Sequence, residues 1–427
     1  MLQCLINITL TQVTPYTGSD GVAISRNETF NIGFCHSYEV YSSWNSLSDT
    51  ATIELPKNVY VKDANNSNVI WGESATPDKV RGYVSAGGFG NPEISKAPLF
   101  LRGDKITISA GYSYISRVNA DGSLTYSTVT NTIFSGFISS IESKSTIKLH
   151  CEDNMWLLKQ TTMPEKTYSA PNGTDISDVL DDIVASVNAL YPNNKISDDT
   201  FQFALSVDGF STGNETAADV LNRLKKILPS MAFYFRDNVL RGGGIVYYPS
   251  DQTNGNSPTA TFNFQKNIIS DVLHYSLKSD VKVAAICYSV SSTAGSTKNK
   301  MGGTQFFTDR FQATVGVPDN ANANDYEYYN FYFRDVSTES QLSDQGQTYL
   351  NRYQYDGFRG KLTTFGLPFV QHGNIIYITD NLLPERNGHY MVKGVHYTYS
   401  VDSGMRQEIE LHFRTDGLSN EQLEQGM

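Results

Sequence analysis

Cysteine is scarce in this chain of 427 residues, which has four: Cys4, Cys35, Cys151 and Cys287. No two of them stand in the CxxC spacing that zinc and iron–sulfur sites usually show. So few thiols in so long a chain do not form a disulfide scaffold, although the fold can still bring two together. We therefore expect separate, mostly buried thiols, and neither a metal nor a cofactor.

Long apolar runs are also missing. No stretch approaches the roughly 18 apolar residues that a membrane-spanning helix needs. The N-terminal sequence MLQCLINITL lacks the basic region that opens a signal peptide. We expect no membrane segment and synthesis in the cytoplasm, and the alternation in this stretch predicts a first β-strand.

Positively charged residues are fewer than negatively charged ones. Lys and Arg number 33 against 44 Asp and Glu, so the formal net charge is −11. Proteins that bind nucleic acid through its backbone neutralise phosphates with clustered Lys and Arg, and no such cluster occurs here. The sequence predicts no specific nucleic-acid binding. It is compatible with an acidic surface along which nucleic acid passes without binding.

Motifs of catalysis are lacking too. None of the seven His residues lies in an HExxH motif, and neither a GxSxG elbow nor a Walker loop occurs. The glycine-rich GGFG at 87–90 precedes no helical pattern and is typical of a loop tip. We predict that the protein is not an enzyme. A glycosidase stays open on spacing alone, because its two carboxylic acids can come from anywhere in the chain.

Aromatic residues are plentiful, with 26 Tyr and 22 Phe, and together with Ser, Thr and Gly they favour strands. The length predicts about three domains of roughly 150 residues. Residues 1–153 show short β-type runs separated by turns, which favours a barrel or sandwich. The aromatic run YEYYNFYF at 326–333 is typical of a strand at a subunit contact, with sugar stacking as the alternative.

The middle of the chain, residues 154–260, changes to helical spacing. Apolar residues recur at helical intervals over 173–191 and 214–230, and Pro229 ends the second stripe. A hairpin is predicted to follow, which makes this segment a small α+β domain. Strands return over 261–414 with one helix, whose start is marked by Thr338 and Gln341 and whose end is placed at Gly357. Residues 415–427 are predicted to be a polar, exposed tail, and no role is assigned to the polar stretch 291–325.

A pattern near residue 150 recurs near the end of the chain. The first copy reads RGDKITI, FSGFISSIES and IKLHC, and the second reads HGNIIYI, VKGVHYTYS and IELHF. Three elements in the same order are typical of a duplicated β unit whose loops diverged. The repeat positions are Gly103, Asp104, Gly136, Ile147, Leu149 and His150 in the first copy and Gly373, Asn374, Gly394, Ile409, Leu411 and His412 in the second.

The first copy ends in the cluster HCED at 150–153, whose residue types make metal sites and thiol nucleophiles. Alternation places Cys151 on the same strand face as Leu149. In the alignment of the two copies, Cys151 corresponds to Phe413. A thiol in the place of a phenyl ring is a core residue rather than a nucleophile. The two His residues of the repeat, His150 and His412, are predicted to share an outward role, and Trp156 is predicted to anchor the segment that follows.

Across most of its length the sequence resembles the baseplate or tail-tip hub proteins of long-tailed phages, of the late control protein D type, and their relatives in contractile injection systems. The resemblance is carried by three stretches, LRGDKITISAGY through NMWLLK, TAADVLNRLKKIL, and LPFVQHGNIIYITDNLL through RQEIEL. It implies a mainly β chain with an α+β insert, made of two similar β-barrel domains and a small helix-containing middle domain.

The same resemblance implies a homotrimer whose six similar units form a ring with pseudo-sixfold symmetry. Such a ring would join the sixfold tail tube, or other distal tail proteins, to a threefold central spike carried by a separate protein. The tape measure protein is a further expected partner. The expected location is the virion tail, after synthesis in the host cytoplasm. The alternative is a tail-associated cell-wall hydrolase or a carbohydrate-binding tail-tip protein.

Overall fold

A computed structural model gives the fold of the chain. It describes residues 2–17, 21, 23–24, 26–57, 59–62, 68–71, 83–85, 98–118, 123–168, 174–200, 206–207, 210–227, 231–244, 260–290, 295–298, 304–307, 312–334, 338–351 and 353–416. Within them strands far outnumber helices, which confirms the prediction of a mainly β chain. None of the helices in this described part has the length and hydropathy needed to cross a lipid bilayer.

Among its described residues, the N-terminal part of the chain contains strands and no helix. In chain order they are β1 (Leu2–Thr11), β2 (Tyr16–Thr17), β3 (Ala23–Ile24), β4 (Thr29–Ile32), β5 (Ser37–Ser43), β6 (Thr50–Leu55), β7 (Val59–Lys62), β8 (Asn68–Trp71), β9 (Tyr83–Ser85), β10 (Lys105–Val118), β11 (Leu124–Ser143) and β12 (Ile147–Glu152). The segment with GGFG lies outside the described residues.

The middle segment mixes helices with short strands. Its elements are α1 (Met155–Gln160), β13 (Lys166–Tyr168), β14 (Thr174–Asp175), α2 (Ile176–Leu190), β15 (Ser197–Thr200), β16 (Ser206–Val207), β17 (Phe210–Thr212), α3 (Ala217–Ile227), β18 (Met231–Arg236) and β19 (Val239–Gly244). Both predicted helices are confirmed as α2 and α3, and the predicted hairpin is the antiparallel pair β18–β19.

The described residues of the C-terminal part return to strands and include one α-helix. Its elements are β20 (Ala260–Asn263), β21 (Ile268–Ser276), β22 (Val283–Val290), β23 (Gly295–Lys298), β24 (Thr304–Phe307), β25 (Gln312–Val315), β26 (Glu327–Arg334), α4 (Glu339–Leu350), β27 (Gly357–Phe365), β28 (Ile375–Thr379), β29 (Gly388–Ser400) and β30 (Gly404–Arg414), with one-turn 3-10 helices at Lys278–Asp280, Ala323–Asp325 and Pro384–Arg386.

The helix α4 begins as predicted and ends earlier than predicted. The Thr338 hydroxyl accepts a hydrogen bond from the Gln341 backbone N–H, so Thr338 caps the helix. The last helical residue is Leu350, and Gly357 opens β27 instead of ending α4. A Cβ at Gly357 would lie 2.8 Å from the Tyr390 hydroxyl and 2.9 Å from the Tyr355 ring. The glycine is therefore needed for space beside two tyrosines, not for a helix cap.

The predicted polar tail is not exposed at its first residue. Thr415 is buried, and its backbone N–H donates to the His389 carbonyl at 2.8 Å. The Asp416 carboxylate accepts from the Arg414 side chain at 2.5 Å and contacts His389 at 2.6 Å. Residues 417–427 lie outside the described residues.

One large sheet, mostly antiparallel, runs through both ends of the chain. Its strand order is β21, β27, β30, β29, β5, β6, β12, β11, β10, β1, β4, β7, β8, β9, and β28 pairs with β29 and with β20. The pair β5–β29 joins the N-terminal part to the C-terminal part, with Gly394 opposite Ser43 and Ser400 opposite Ser37. The two predicted barrel domains are thus hydrogen-bonded to each other within one sheet, and their boundaries stay a prediction.

The buried side chains form distinct clusters. The largest takes residues from both ends of the chain, among them Ile53, Leu149 and Ile409. The middle segment has its own cluster built on α1, α2 and α3, which Phe137 of β11 joins from the large sheet. Trp156 of this cluster stacks on Phe137 at 5.4 Å between ring centroids, which confirms its predicted anchoring role. A smaller cluster lies against α4.

Candidate functional site

The two copies of the sequence repeat begin with the same backbone turn. Gly103 and Gly373 have φ of +91° and +81°, the left-handed region that favours glycine. The Gly103 N–H donates to the Ile138 carbonyl at 2.8 Å, and the Ile138 N–H donates to the Asp104 carbonyl at 2.9 Å. In the second copy Gly373 and Asn374 make the same two bonds with Val392, at 2.8 and 2.9 Å.

The side chains after these glycines also take the same place. An Asp104 oxygen accepts from the Leu101 N–H at 2.8 Å, and the Asn374 oxygen accepts from the Gln371 N–H at 2.8 Å. Each closes a short turn that starts the next strand, β10 or β28. The glycine and its polar neighbour therefore have a shared structural reason, since only a residue with φ above zero followed by a short acceptor fits this turn.

The equivalence extends over five strands in each copy. The first unit consists of β5, β6, β10, β11 and β12, and the second unit consists of β21, β27, β28, β29 and β30, in the same pairing order. Each unit has a bulge at the same place, just after Ile138 opposite Cys151 and just after Val392 opposite Leu411. The outer neighbours differ, because β1 pairs with β10 antiparallel and β20 pairs with β28 parallel.

This register changes the alignment of the closing motifs. Cys151 and Leu411 lie at the same bulge, so residues 147–151 correspond to residues 407–411 in the structure. The sequence motifs match residues 147–151 with residues 409–413, two positions later. A shift of two keeps every side chain on its predicted face: Ile147, Leu149 and Cys151 are buried, and so are Ile409, Leu411 and Phe413. It also means that His150 corresponds to Glu410 and not to His412.

The two glycines of the repeat are likewise not equivalent. A Cβ at Gly136 would lie 2.1 Å from the Glu152 carbonyl oxygen of β12. A Cβ at Gly394 would meet Ser43 of β5, 3.1 Å from its Cβ. By the register of the bulges Gly136 corresponds to Tyr390. Each glycine is needed where a different strand approaches closely.

The two histidines also differ in their surroundings. The His150 ring lies 3.4 Å from the Glu142 carboxylate and 3.3 Å from the Thr52 hydroxyl, and its side chain is 37 % exposed. His412 instead packs against the rings of Trp44 and Tyr353, and its buried Nε2 has no hydrogen-bond partner among the described residues. Burial lowers the pKa of His412 to about 3. The shared outward role predicted for the two histidines is therefore wrong for His412.

The cysteine of the HCED cluster is a core residue. Cys151 is 1 % exposed in the largest hydrophobic cluster, and burial raises the pKa of its thiol far above the ordinary value. Burial also raises the pKa of Cys35 to about 12 and that of Cys287 to about 11. A thiol that stays protonated is a poor nucleophile and a poor metal ligand. In the described part of the chain no three Cys, His, Asp or Glu side chains are grouped to hold a metal.

The last residue of HCED takes part in a buried acidic pair that the sequence did not indicate. Asp153 accepts from the Ser48 hydroxyl at 3.0 Å, from the Asp49 N–H at 3.1 Å and from the Met155 N–H at 3.0 Å. Asp49 in turn accepts from the Ser42 hydroxyl at 2.6 Å. Two carboxyl groups thus meet where the first unit leads into α1.

This pair lines a cleft of about 60 Å³ between the three parts of the chain. The middle segment contributes Arg236, whose guanidinium donates to the His372 carbonyl at 2.6 Å and attracts Asp49. The second unit contributes His372, whose ring lies edge-on to Tyr234 at 4.8 Å. We call Asp49, Asp153, Arg236 and His372 the joint, because these four side chains bring together the first unit, the middle segment and the second unit.

The two carboxyl groups and the imidazole of the joint have pKa values shifted from their ordinary ones. Burial and the neighbouring Asp49 carboxylate raise the pKa of Asp153 to about 8, and burial raises the pKa of Asp49. Burial together with Arg236 lowers the pKa of His372, so that imidazole stays neutral. A protonated Asp153 relieves the repulsion between the two carboxylates. The arrangement suits a structural contact that prefers a bound proton.

The stability of the protein should therefore fall as pH rises across the joint's titration range. A carboxyl group whose pKa is raised by folding binds more protons in the native state, so its contribution is complete below the unfolded value of roughly 3.9 and is lost as pH rises through about 8. The slope should reach up to about 1.4 kcal/mol per pH unit for each group. Urea unfolding at several pH values measures it.

Asp153→Asn should remove much of this slope, because the amide keeps the shape of the group and cannot lose a proton. The exposed Asp402→Asn serves as the matched control and should leave the slope as in the parent chain. Equal slopes for Asp153→Asn and the parent chain would contradict a titrating joint.

Sequence reasoning missed the joint because its members are far apart in the chain. Asp49 and Asp153 are separated by 104 positions, and Asp49 lies in no motif that would pair it with the HCED cluster. Nothing in the local pattern distinguishes a buried aspartate at the end of a strand from a solvated one. Only the pairing of β6 with β12 brings the two carboxyl groups together.

One comparison with a solved structure gives the fold. No protein-family model matches the sequence, and no curated protein matches it. The crystal structure of a tail protein from Neisseria meningitidis MC58 matches over 97 % of this chain and 97 % of that chain, with 13 % identity and a TM-score of 0.50. The chain has the fold of that tail protein. This assignment rests on architecture, since the identity is too low to carry more.

Two further structures match with lower scores. A 43 kDa tail protein of prophage MuSo2 from Shewanella oneidensis matches over 96 % of this chain and 98 % of its own, with 11 % identity and a TM-score of 0.46. The E. coli c3393 protein, a component of the type VI secretion system described as similar to the T4 tail proteins gp27 and gp5, matches over 95 % and 76 %, with 8 % identity and a TM-score of 0.42. The fold assignment rests on the Neisseria structure alone.

Proposed function

We propose that the chain is a structural hub of a phage tail baseplate or tail tip. Three copies would form a ring whose six similar β units give pseudo-sixfold symmetry. The ring would join the tail tube on one side to a threefold central spike on the other, with distal tail proteins and the tape measure protein as further neighbours. The protein would act in the virion tail by assembly and not by catalysis.

The observation that carries this proposal is the duplicated five-strand unit. Both units share the positive-φ glycine turn and a bulge at the same place, opposite Cys151 and opposite Leu411. Two similar units in one chain allow three chains to present six similar surfaces, which is what a junction between sixfold and threefold partners requires. The fold shared with the Neisseria tail protein supports the same role.

The joint fits a hub better than an active site. Its two carboxyl groups accept hydrogen bonds from Ser42, Ser48 and backbone N–H groups. Asp153 links the first unit to α1 through the Met155 N–H, and Arg236 links the middle segment to the second unit through the His372 carbonyl. We expect these links to keep the three parts in fixed relation, which a ring assembled from rigid parts needs. The proposed division at residues 153, 260 and 414 places the joint at the meeting point of the three domains.

Native mass measures the proposed assembly directly. We expect the purified chain to have the mass of three copies, alone or after addition of its proposed spike partner, because the ring should bury an obligate interface of more than roughly 2,000 Å². A peptidoglycan zymogram and a glycan array should both be blank. A chain that stays a single copy with every tail neighbour would contradict the hub, and a cleared zymogram band would favour the hydrolase.

A further inference from the structure

The second unit has a neighbour that the first unit lacks. Residues Gly394–Ser400 of β29 pair with β5, which covers that side of the strand. The corresponding residues of β11 begin at Ser140 and pair with β12 on one side. On the other side, no strand in the described part of the chain pairs with residues 140–143. Ser140, Glu142 and Ser143 are exposed there, whereas Gly394 and Tyr397 are buried.

The strand that corresponds to β5 is β21, and its outer edge is also uncovered within the described residues. Counted through their partner strands β6 and β27, Tyr41 of β5 is equivalent to His274 of β21, and Val40 is equivalent to Leu273. The Val272 carbonyl points toward β27, since a Cβ at Gly360 would lie 2.3 Å from it. Successive backbone groups of a strand point to opposite sides, so those of Leu273 face the free edge.

The exposed side chains of β21 are unusual for an outer strand in contact with water. Val272 is 69 % exposed and Ile269 is 42 % exposed. Apart from the exposed Asp271, this edge is uncharged and partly apolar, and such an edge is a template for pairing with another strand. The edge of β11 carries the complementary group, because Glu142 is an exposed carboxylate and His274 of β21 is an exposed imidazole.

We propose that β21 of one copy pairs antiparallel with residues 140–143 of β11 in a second copy of this chain. The pairing repeats, between chains, the β5–β29 contact that joins the two units within one chain. This inference rests on the proposed ring and specifies which edges close it. The occupant is a second copy because the chain already contains the same contact between its own two units.

The internal contact also fixes the register of the contact between chains. His396 lies opposite Tyr41, with ring centroids 5.4 Å apart, and Val395 lies opposite Ser42. Transferred to the equivalent positions, Glu142 lies opposite His274. Ile141 then lies opposite Tyr275, and both side chains already pack against the edge of the largest core. Pairing would cover them as Val395 and Ser42 are covered.

Such a contact is heterologous, since β21 and β11 are different surfaces of the chain. A heterologous contact produces a closed ring when the rotation between copies closes, and an open filament when it does not. With β5–β29 inside each chain and β21–β11 between chains, every unit would meet its neighbours in the same way.

Cysteine cross-linking tests the pairing. In a Cys4→Ser background, a chain carrying Glu142→Cys is mixed with a chain carrying His274→Cys and oxidised. Because the His274 backbone groups face β27, the proposed 142–274 pair is non-hydrogen-bonded and brings the Cβ atoms within about 4.5–5.5 Å, near disulfide range. We expect a product of twice the chain mass in the mixture and none from either variant alone.

Ile269→Cys replaces His274→Cys as the matched control. It lies on the same strand, is exposed, and stands five residues away, roughly 16 Å along the strand. We expect at least ten times more cross-linked product with His274→Cys. Chains that form trimers and give no such excess overturn the strand pairing and leave the proposed hub standing. Chains that remain single copies at every concentration overturn both.

Discussion

Asp104→Ala is expected to lower the free energy of unfolding by about 3–5 kcal/mol. Asp104 is fully buried and forms an ion pair with Arg26 at 2.6 Å, and the Arg26 side chain is 1 % exposed. Its two oxygens also accept from the N–H groups of Val13, Thr14 and Leu101 at 3.1, 3.1 and 2.8 Å. Removing the carboxylate leaves a buried guanidinium without its counter-charge, which is costly in a poorly solvated site. Urea unfolding measures the loss.

Asn374→Ala is the matched control for this prediction. Asn374 occupies the same turn in the second unit and accepts from the Gln371 N–H without a buried cation beside it. We expect a loss of about 1 kcal/mol, the ordinary value of one hydrogen bond. A double substitution of Arg26→Met with Asp104→Leu should recover part of the stability lost in Asp104→Ala, because it removes the unpaired charge and leaves the three N–H donors without an acceptor. Equal losses for Asp104→Ala and Asn374→Ala would show that the ion pair contributes nothing.

Gly136→Ala is expected to lower the free energy of unfolding by about 3 kcal/mol, at the upper end of the usual overpacking cost. The added Cβ would lie 2.1 Å from the Glu152 carbonyl oxygen, and that oxygen belongs to the backbone of β12. Backbone cannot turn aside as a flexible side chain can, so β11 and β12 must separate locally. The change should weaken hydrogen-exchange protection along β12 as well as global stability.

Gly394→Ala provides the comparison. Its added Cβ would meet Ser43 at 3.1 Å from the Cβ and 3.2 Å from the hydroxyl oxygen, and the Ser42 carbonyl at 3.2 Å. These contacts require shifts of tenths of an ångström, and we expect a loss of about 1 kcal/mol. If the two glycines were equivalent positions of the repeat, the two losses would be equal. A loss for Gly394→Ala as large as that for Gly136→Ala would contradict the register derived from the bulges.

The two units have the same backbone turn but different side chains in it. The first unit has a charged side chain in its turn and a cation from β3–β4 to match it, since Arg26 lies between those strands. The second unit has a neutral amide in the same turn. The two units therefore share a backbone turn while their buried side-chain chemistry differs.

The sequence by itself determined the elements whose signal is local. The alternation Ile147, Leu149, Cys151 predicted a strand with one buried face, and the helical stripes predicted α2 and α3. It also identified the glycine that begins each turn, because a glycine followed by a short polar residue stands before a strand in both copies. These features depend on near neighbours in the chain, so their physical cause is present in a short window of residues.

Tertiary structure alone decided the register and the long-range contacts. A shift of two residues leaves every strand side chain on the same face, so the pattern could not tell whether 147–151 matches 407–411 or 409–413. The approach of Asp49 to Asp153, the covering of His412 by Trp44 and the pairing of β5 with β29 join residues distant in sequence. Those contacts follow from which strands lie side by side, and strand adjacency is a property of the whole fold.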